Sequence, residues 1–410
     1  MKKLLLVLLI LSLFINHLNA NEKDLQIIQK DKKEYRLLDK ESIQTRQQSQ
    51  KYDWISPIDL SGNIGRNHSF SDENSRNLNN KNTKSASIGF TQSIFESGGI
   101  GFKMDYADNR FKYEMLSWEN QNSQLIYTIY NTLLDIKKLK LEINQNDYRI
   151  VNKDIELIIK KIQYEAGKTD IIELNNAIMS KNLILKEEIA LKNSLKEKEQ
   201  ELAKYTDLKY DEIEILDFQE TNKEIFLDKN YSILEADAKV EMLNSEYKIK
   251  KSQYLPKLSL SAKASYSSQD EKFNSMISDT NKDDATSSGS LILSMPLYDY
   301  TKSSKIQESK IEVLKQKALV NDLKNETAFE YEQIFTKIDT YLKQNETINK
   351  NIKLYEELIG ANKISSEAGM TSKYDLEILE NTKTINEFDI LINKINILQQ
   401  YAKLYFKIKN

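Results

Sequence analysis

The chain has 410 residues with only 10 Gly and 3 Pro, and its formal net charge at pH 7 is −3. An average protein contains about 7% Gly and about 5% Pro, so folds built from many tight turns are disfavoured. The sequence has no Cys and two His, which excludes disulfides and thiolate metal sites and leaves little material for imidazole chemistry.

Residues 1–20 have the pattern of a secretory signal peptide. Lys2 and Lys3 precede an apolar stretch at 4–15, and Ala20 ends a short region of the kind that signal peptidase cleaves. The apolar stretch is shorter than the roughly 20 residues that a membrane-spanning helix needs. We therefore expect the mature chain to begin near residue 21 and to be exported.

Four short segments alternate apolar residues with Ser, Thr or other small polar residues. They lie at 57–65, 85–95, 257–266 and 288–298, and Pro57, Pro256 and Pro296 mark their boundaries. Segments of about ten residues with this alternation are typical of transmembrane β-strands, and the pattern alone fits a soluble antiparallel sheet equally well. The long polar connections after the first and third segments, and the serine-rich face, favour strands that line a water-filled interior.

Two long stretches, 102–166 and 297–359, contain neither Gly nor Pro and repeat apolar residues at helical spacing. They predict helical hairpins over 99–206 and 300–408. Gly167 and Gly369 are expected to end the first helix of each hairpin in a left-handed conformation, which glycine adopts at little cost. Thr169 or Asp170, and Thr371 or Ser372, are the candidate N-caps of the returning helices.

The elements occur in the same order twice, so the sequence predicts two structural repeats, at 21–206 and 207–410. Each repeat contains a strand pair followed by a long hairpin. Because the smallest membrane barrels have about eight strands, four strands would require at least two copies of the chain to close a barrel. The residues themselves leave open whether two or three copies assemble.

The sequence resembles the TolC family of outer-membrane efflux proteins. The resemblance rests on YLPKLSLS at 254–261, LSMPLYD at 293–299, and the turn EAG at 367–369 followed by YDL at 374–376. It implies an α+β membrane protein: a homotrimer whose 12-stranded β-barrel in the outer membrane continues into a 12-helix α-barrel across the periplasm. It also implies a periplasmic adaptor (membrane fusion) protein and an inner-membrane pump or ABC transporter as partners.

The same resemblance assigns a periplasmic gate to the hairpin tips. The family often has an acidic residue six positions after the turn glycine, where this chain has Glu173 and Asp375. With Tyr164, Gly167, Asp170 and Gly369 these form the candidate gate. Around a symmetry axis the two carboxylates would form acidic rings; the alternative is that they only stabilise helix N-termini.

The function predicted is therefore a passive exit duct of a tripartite efflux or type I secretion system, in contact with outer-membrane lipid. The alternative is a secreted or surface coiled-coil structural protein with a small soluble β head, for which an outward-facing Lys263 would be the best support. We expect no enzyme activity, catalytic residue, cofactor or metal site, and the balanced charge gives no reason to expect a nucleic-acid partner. The sequence does not identify the transported substrate.

Overall fold

The computed structural model of the chain describes residues 25–69, 79–216, 218, 220–270, 282–367 and 372–409. The predicted signal peptide and Gly369 lie outside these ranges. After a 3-10 helix at Leu25–Ile27, the helices are α1 Lys30–Tyr52, α2 Gly99–Glu165, α3 Ile171–Leu202, α4 Lys223–Asp228, α5 Tyr231–Ser252, α6 Lys302–Glu367 and α7 Lys373–Lys407. The strands are β1 Asp59–Ser69, β2 Asn79–Phe95, β3 Lys257–Asp270 and β4 Lys282–Ser294.

The chain folds into two compact units, and each unit draws on both halves of the sequence. Among the described residues, the helical unit lies within 25–40, 116–234 and 321–409, and the sheet unit lies within 41–115 and 235–320. These units are defined by contacts in space, whereas the predicted repeats, 21–206 and 207–410, are defined by the order of elements along the chain, so the two divisions do not coincide. The longest helices, α2 and α6, contribute residues to both units.

The sheet unit contains one antiparallel sheet with the strand order β1-β2-β3-β4. All four strands are longer than predicted, because they continue through polar residues beyond the alternating segments; β4, for example, begins at Lys282 and not at residue 288. Backbone pairing continues wherever each N–H finds a partner, whether or not the side chains alternate. The fourth strand ends at Ser294, earlier than predicted, and Pro296 follows it without an N–H to donate.

The helical unit is packed around α2. Ile129, Leu133, Leu134 and Ile136 are completely buried. Ile129, Leu133 and Ile136 lie on one face of the helix, as the helical spacing predicts, and Leu134 lies on another. In the part of the chain that the structure describes, no helix has a stretch apolar enough, over a sufficient length, to cross a bilayer.

A second apolar cluster joins α4, α6 and the end of α7. Its buried members are Phe226, Ile334, Ile338, Leu404 and Ile408. The backbone of the last described residues is held beside the start of α5, because Asn230 pairs with Ile408 as an isolated β-bridge and the Lys409 N–H donates to the Lys229 carbonyl at 2.8 Å. The C-terminal turn is thereby fixed to the connection that precedes α5.

Aromatic rings pack around Phe406, near the end of α7. The Phe406 ring lies 5.5 Å from that of Tyr130 and 5.6 Å from that of Phe218, measured between ring centroids. Phe218 is nearly buried although it lies in an irregular connection. Aromatic pairs at such distances add about 0.5–1.5 kcal/mol beyond the area that they bury.

A charged group also connects α6 with α7. Lys403 Nζ and Lys407 Nζ lie 2.7 and 2.6 Å from the Glu330 carboxylate. Burial acts to raise the pKa of Glu330, but the hydrogen bonds and positive charge of the two lysines outweigh it, so the net pKa of the carboxyl is lowered. A lowered native pKa means that the ionised carboxylate stabilises the folded chain above the unfolded pKa, and that this contribution is lost as the pH falls through the folded value.

We expect Glu330→Gln to lower the stability of the helical unit by about 1 kcal/mol at pH 7, because the amide keeps an acceptor and loses the charge. The difference from the unsubstituted protein should shrink as the pH falls below about 4.5, where the carboxylate of the unfolded chain becomes protonated, and vanish below the lowered pKa of the folded chain. Thermal unfolding followed by circular dichroism between pH 7 and pH 3 measures the loss of stability and its dependence on pH. A difference that stays constant or grows on acidification contradicts this account.

Candidate functional site

The register of the sheet separates apolar and hydroxyl side chains onto opposite faces. One row across the strands aligns Leu60, Ile88, Ala264 and Ser287, and the adjacent row aligns Ser61, Ser87, Ser265 and Thr286. The apolar face carries Leu60, Ile64, Ala86, Ile88, Phe90, Leu258, Leu260, Ala262, Ala264, Tyr266, Leu291 and Leu293. The opposite face, called the hydroxyl face, carries mainly Ser and Thr; its departures include the charged Asp59, Lys263 and Asp284 and the apolar Ile292.

Hydroxyl groups of neighbouring strands bond to one another across the hydroxyl face. The oxygen–oxygen distances are 2.8 Å for Ser61 with Ser87 and 3.0 Å for Thr91 with Ser261. On the other side of β3, Ser265 and Thr286 are 2.8 Å apart. Each pair still has acceptor capacity free for water, so the face is suited to contact with an aqueous phase.

The apolar face is exposed in the single chain, where one would expect burial in a soluble sheet. Leu60, Leu291 and Leu293 are 80%, 63% and 72% exposed. These residues lie on the edge strands β1 and β4, which pair on one side only within the described part of the chain. An exposed apolar face with two open edges indicates a surface that lipid and further strands cover.

The predicted boundary prolines lie just outside the strands. Pro57 comes two residues before β1, Pro256 directly precedes β3, and Pro296 comes two residues after β4. Proline cannot donate to a strand ladder, so these positions are compatible with the strand ends.

The end of α2 has the left-handed cap predicted for Gly167, whose φ is +67°. The Gly167 N–H donates to the Tyr164 carbonyl at 2.9 Å, and the Lys168 N–H donates to the Gln163 carbonyl at 2.8 Å. These two bonds define a Schellman motif. Tyr164 thus takes part in the cap through its backbone, while its side chain is 41% exposed.

Asp170 and Glu173 lie at the start of α3. Of the two candidate N-caps, Thr169 and Asp170, the structure uses Asp170, whose Oδ1 accepts the Glu173 N–H at 2.9 Å. Glu173 lies in the first turn of the helix. The Glu173 carboxylate lies 3.0 Å from Lys160 Nζ on α2, an ion pair across the hairpin that we did not predict. The structure thus gives Glu173 both a place in the first turn and a basic partner.

In the second hairpin, Ser372 is the N-cap of α7, since its Oγ accepts the Tyr374 N–H at 3.2 Å. Asp375 lies in the first turn of that helix, the position where the helix dipole favours an acid. No hydrogen bond or ion pair in the described ranges joins Asp375 to Glu173.

Polar side chains on α2 link it to both neighbouring helices of the helical unit. Asp135 accepts from Gln399 Nε2 on α7 at 2.7 Å and lies 3.4 Å from Lys198 Nζ on α3. Gln145 donates to the Ile385 carbonyl and to Asp389, at 2.9 and 2.7 Å. Spacing along the sequence does not indicate this role, because polar residues between apolar stripes normally face water. Gln145 and its partners are also far apart along the chain, so no local pattern joins them.

The described residues hold no group of three or more His, Asp or Glu side chains arranged to bind a metal ion. The arrangement as a whole is a sheet with one apolar and one hydroxyl face, followed in each half of the chain by a capped helical hairpin. Such a molecule can separate lipid from water.

The fold is that of outer-membrane channels. The structure superposes on the outer membrane protein VceC from Vibrio cholerae with a TM-score of 0.72 and 12% identity, covering 94% of this chain and 93% of that one. For the CmeC outer membrane channel of Campylobacter jejuni the TM-score is 0.70 at 13% identity, with 92% and 84% covered. For the open state of the Neisseria gonorrhoeae MtrE outer membrane channel it is 0.67 at 12% identity, with 91% and 85% covered.

Residues 224–403 match the family model described as outer membrane efflux protein. A comparison of the sequence with curated proteins found no match. The resemblance to TolC-like outer-membrane efflux proteins is confirmed, over the second half of the chain by the family model and over almost the whole chain by the fold. The α+β architecture is likewise as predicted.

Replacing the N-cap should fray the tip of the first hairpin. Asp170→Ala removes the acceptor of the Glu173 N–H and should cost about 1 kcal/mol of local stability. Hydrogen exchange followed by mass spectrometry should show faster exchange in the first turn of α3. Lys160→Gln, which removes only the ion pair to Glu173, should change that exchange much less; equal effects of the two substitutions would show that the cap is not the stabilising contact.

Proposed function

We propose that the protein is an outer-membrane channel that acts as the passive exit duct of an efflux or type I secretion system. The observation that carries the proposal is the exposed apolar face of the sheet, with a hydroxyl face on its other side. In a membrane β-barrel, each strand points its apolar side chains outward to the lipid and its polar side chains inward to a water-filled lumen.

The apolar face has a length that suits an outer membrane. On β3 the apolar row runs from Leu258 to Tyr266, which is roughly 27 Å along an extended strand. A strand tilt of about 40° reduces that height to about 20 Å, close to the apolar band of about 25 Å in outer-membrane barrels. Towards the outer ends of the strands, Arg66 and Lys84 interrupt the apolar rows.

The assembly proposed is a homotrimer. An unpaired strand edge in lipid costs several kcal/mol for each unsatisfied backbone group, so the open edges of β1 and β4 require further copies of the chain. Three copies of the four-stranded sheet supply a 12-stranded barrel, and their hairpins supply a 12-helix α-barrel in the periplasm. The matched family and fold favour three copies over two.

The gate is proposed at the hairpin tips, with Tyr164, Gly167, Asp170 and Glu173 in the first tip and Gly369 and Asp375 in the second. Asp170 is an N-cap, and Glu173 and Asp375 lie in first helical turns. These acids therefore also stabilise their helices, and a role in the gate is compatible with that one. Opening at the tips would be driven by a periplasmic adaptor with an inner-membrane pump or ABC transporter. The 21–206 and 207–410 repeats would each contribute one hairpin.

The proposal is tested by locating and assembling the full-length protein. Expressed with its own leader, it should fractionate with the outer membrane and run as a trimer before heating and as a monomer afterwards. Purified trimers should form channels in planar bilayers. A soluble monomer in the periplasmic fraction would contradict the proposal.

Two adjacent positions on β2 distinguish the faces. Ile88→Arg places a charge on the proposed lipid face, which costs about 2–4 kcal/mol near the membrane midplane, and should sharply reduce the amount of trimer in the outer membrane. Ser87→Arg places the same charge on the hydroxyl face, where it should leave assembly intact and lower the conductance. Equal assembly of both variants would contradict the assignment of the apolar face to lipid. An assembly defect confined to Ser87→Arg would indicate that the hydroxyl face contacts lipid instead.

A further inference from the structure

A single lysine interrupts the Ser and Thr residues in the middle of the hydroxyl face. Lys263 lies at the centre of β3, opposite Gly89 on β2 and Ser288 on β4. Its side chain is exposed. The register therefore gives it the same orientation as Ser261 and Ser265, away from the apolar face.

The backbone around Lys263 is shaped to leave room for it. A Cβ added at Gly89 would lie 3.3 Å from both Cβ and Cγ of Lys263 and 3.0 Å from the Ala262 carbonyl oxygen. A side chain at residue 89 would thus crowd the lysine stem. The glycine leaves that surface open and keeps the ammonium group accessible.

Acidic residues on the same face are not paired with this charge. No ion pair joins Lys263 to any side chain in the described ranges. Asp59 aligns with Gly89 and so lies two strands from Lys263, roughly 10 Å between backbones. Asp284 aligns with Ser267, roughly 14 Å farther along β3. At 0.1 M salt, where the Debye length is about 10 Å, screening reduces the attraction between charges on residues this far apart.

We infer that Lys263 is a specificity-determining residue of the channel, forming a ring of positive charge in the barrel that favours anionic solutes. The inference rests on the proposed function, because only a barrel with the hydroxyl face inward brings the lysines together. Rotational symmetry repeats Lys263 at one height in every subunit. Rings of basic side chains select anions in pores.

Reversal potentials measured in planar bilayers under a KCl gradient test the ring directly. Lys263→Glu should lower the chloride-to-potassium permeability ratio by on the order of two- to tenfold, and Lys263→Ser by less. Lys84→Ser, on the neighbouring strand and the opposite face, is the matched control and should leave the ratio unchanged. An unchanged ratio in Lys263→Glu channels of normal conductance would overturn the ring and leave the channel proposal standing.

A second measurement does not depend on an open periplasmic gate. Since the chain has no Cys, Ser288→Cys creates a unique thiol directly opposite Lys263, which reagents added from the outer side can reach. Adding Lys263→Ser should reduce the ratio of labelling rates for an anionic over a cationic methanethiosulfonate several-fold. An equal ratio with and without the lysine would contradict the inference. If the unsubstituted protein formed no channel and Ser288→Cys were inaccessible in assembled protein, the proposed function would fail together with the ring.

Discussion

The structure depends on one constraint: every side chain in the sheet must match the phase that its face contacts. Because the hydrogen-bonded register alternates faces at each residue, a slip by one position would exchange apolar and hydroxyl side chains. The register from Asp59–Gly89 to Lys257–Ser294 keeps most members of the two sets apart across the four strands, with Ser287 and Ile292 as exceptions. The hydroxyl pairs between strands reinforce this register, while the open edges make a complete boundary between lipid and water impossible for one chain.

The helices meet a different requirement, since long helices need partners along their whole length. In the helical unit, α2 buries an apolar row around Leu133 and adds polar links to α3 and α7 through Asp135 and Gln145. Buried polar groups are costly when unpaired, so these links favour one packing arrangement of the hairpins. At the tip, the cap at Gly167 and the N-cap Asp170 turn the chain between α2 and α3.

Much of this organisation follows from the sequence because its signals are local. Alternation predicts the strands and their faces, helical spacing predicts the apolar row of α2, and glycine predicts the cap at residue 167. The strand ends were wrong because pairing continues through polar residues such as His68 and Asn79, which carry no alternating pattern. The Lys160–Glu173 pair and the links of Gln145 depend on residues distant along the chain or across a turn, so spacing does not reveal them. The two compact units each combine segments that are far apart in the sequence, so the order of elements along the chain does not reveal them.

The central claim is that the apolar face of the sheet contacts lipid and the hydroxyl face contacts water. Single cysteines introduced in turn at residues 258–266 of β3, each carrying a nitroxide spin label, test it most directly in the reconstituted trimer. The account predicts that accessibility to oxygen peaks at Leu258, Leu260, Ala262 and Ala264, and that accessibility to a water-soluble nickel complex peaks at the intervening residues. The reverse pattern, with oxygen accessibility highest at the intervening residues, or the absence of any alternation, would contradict it.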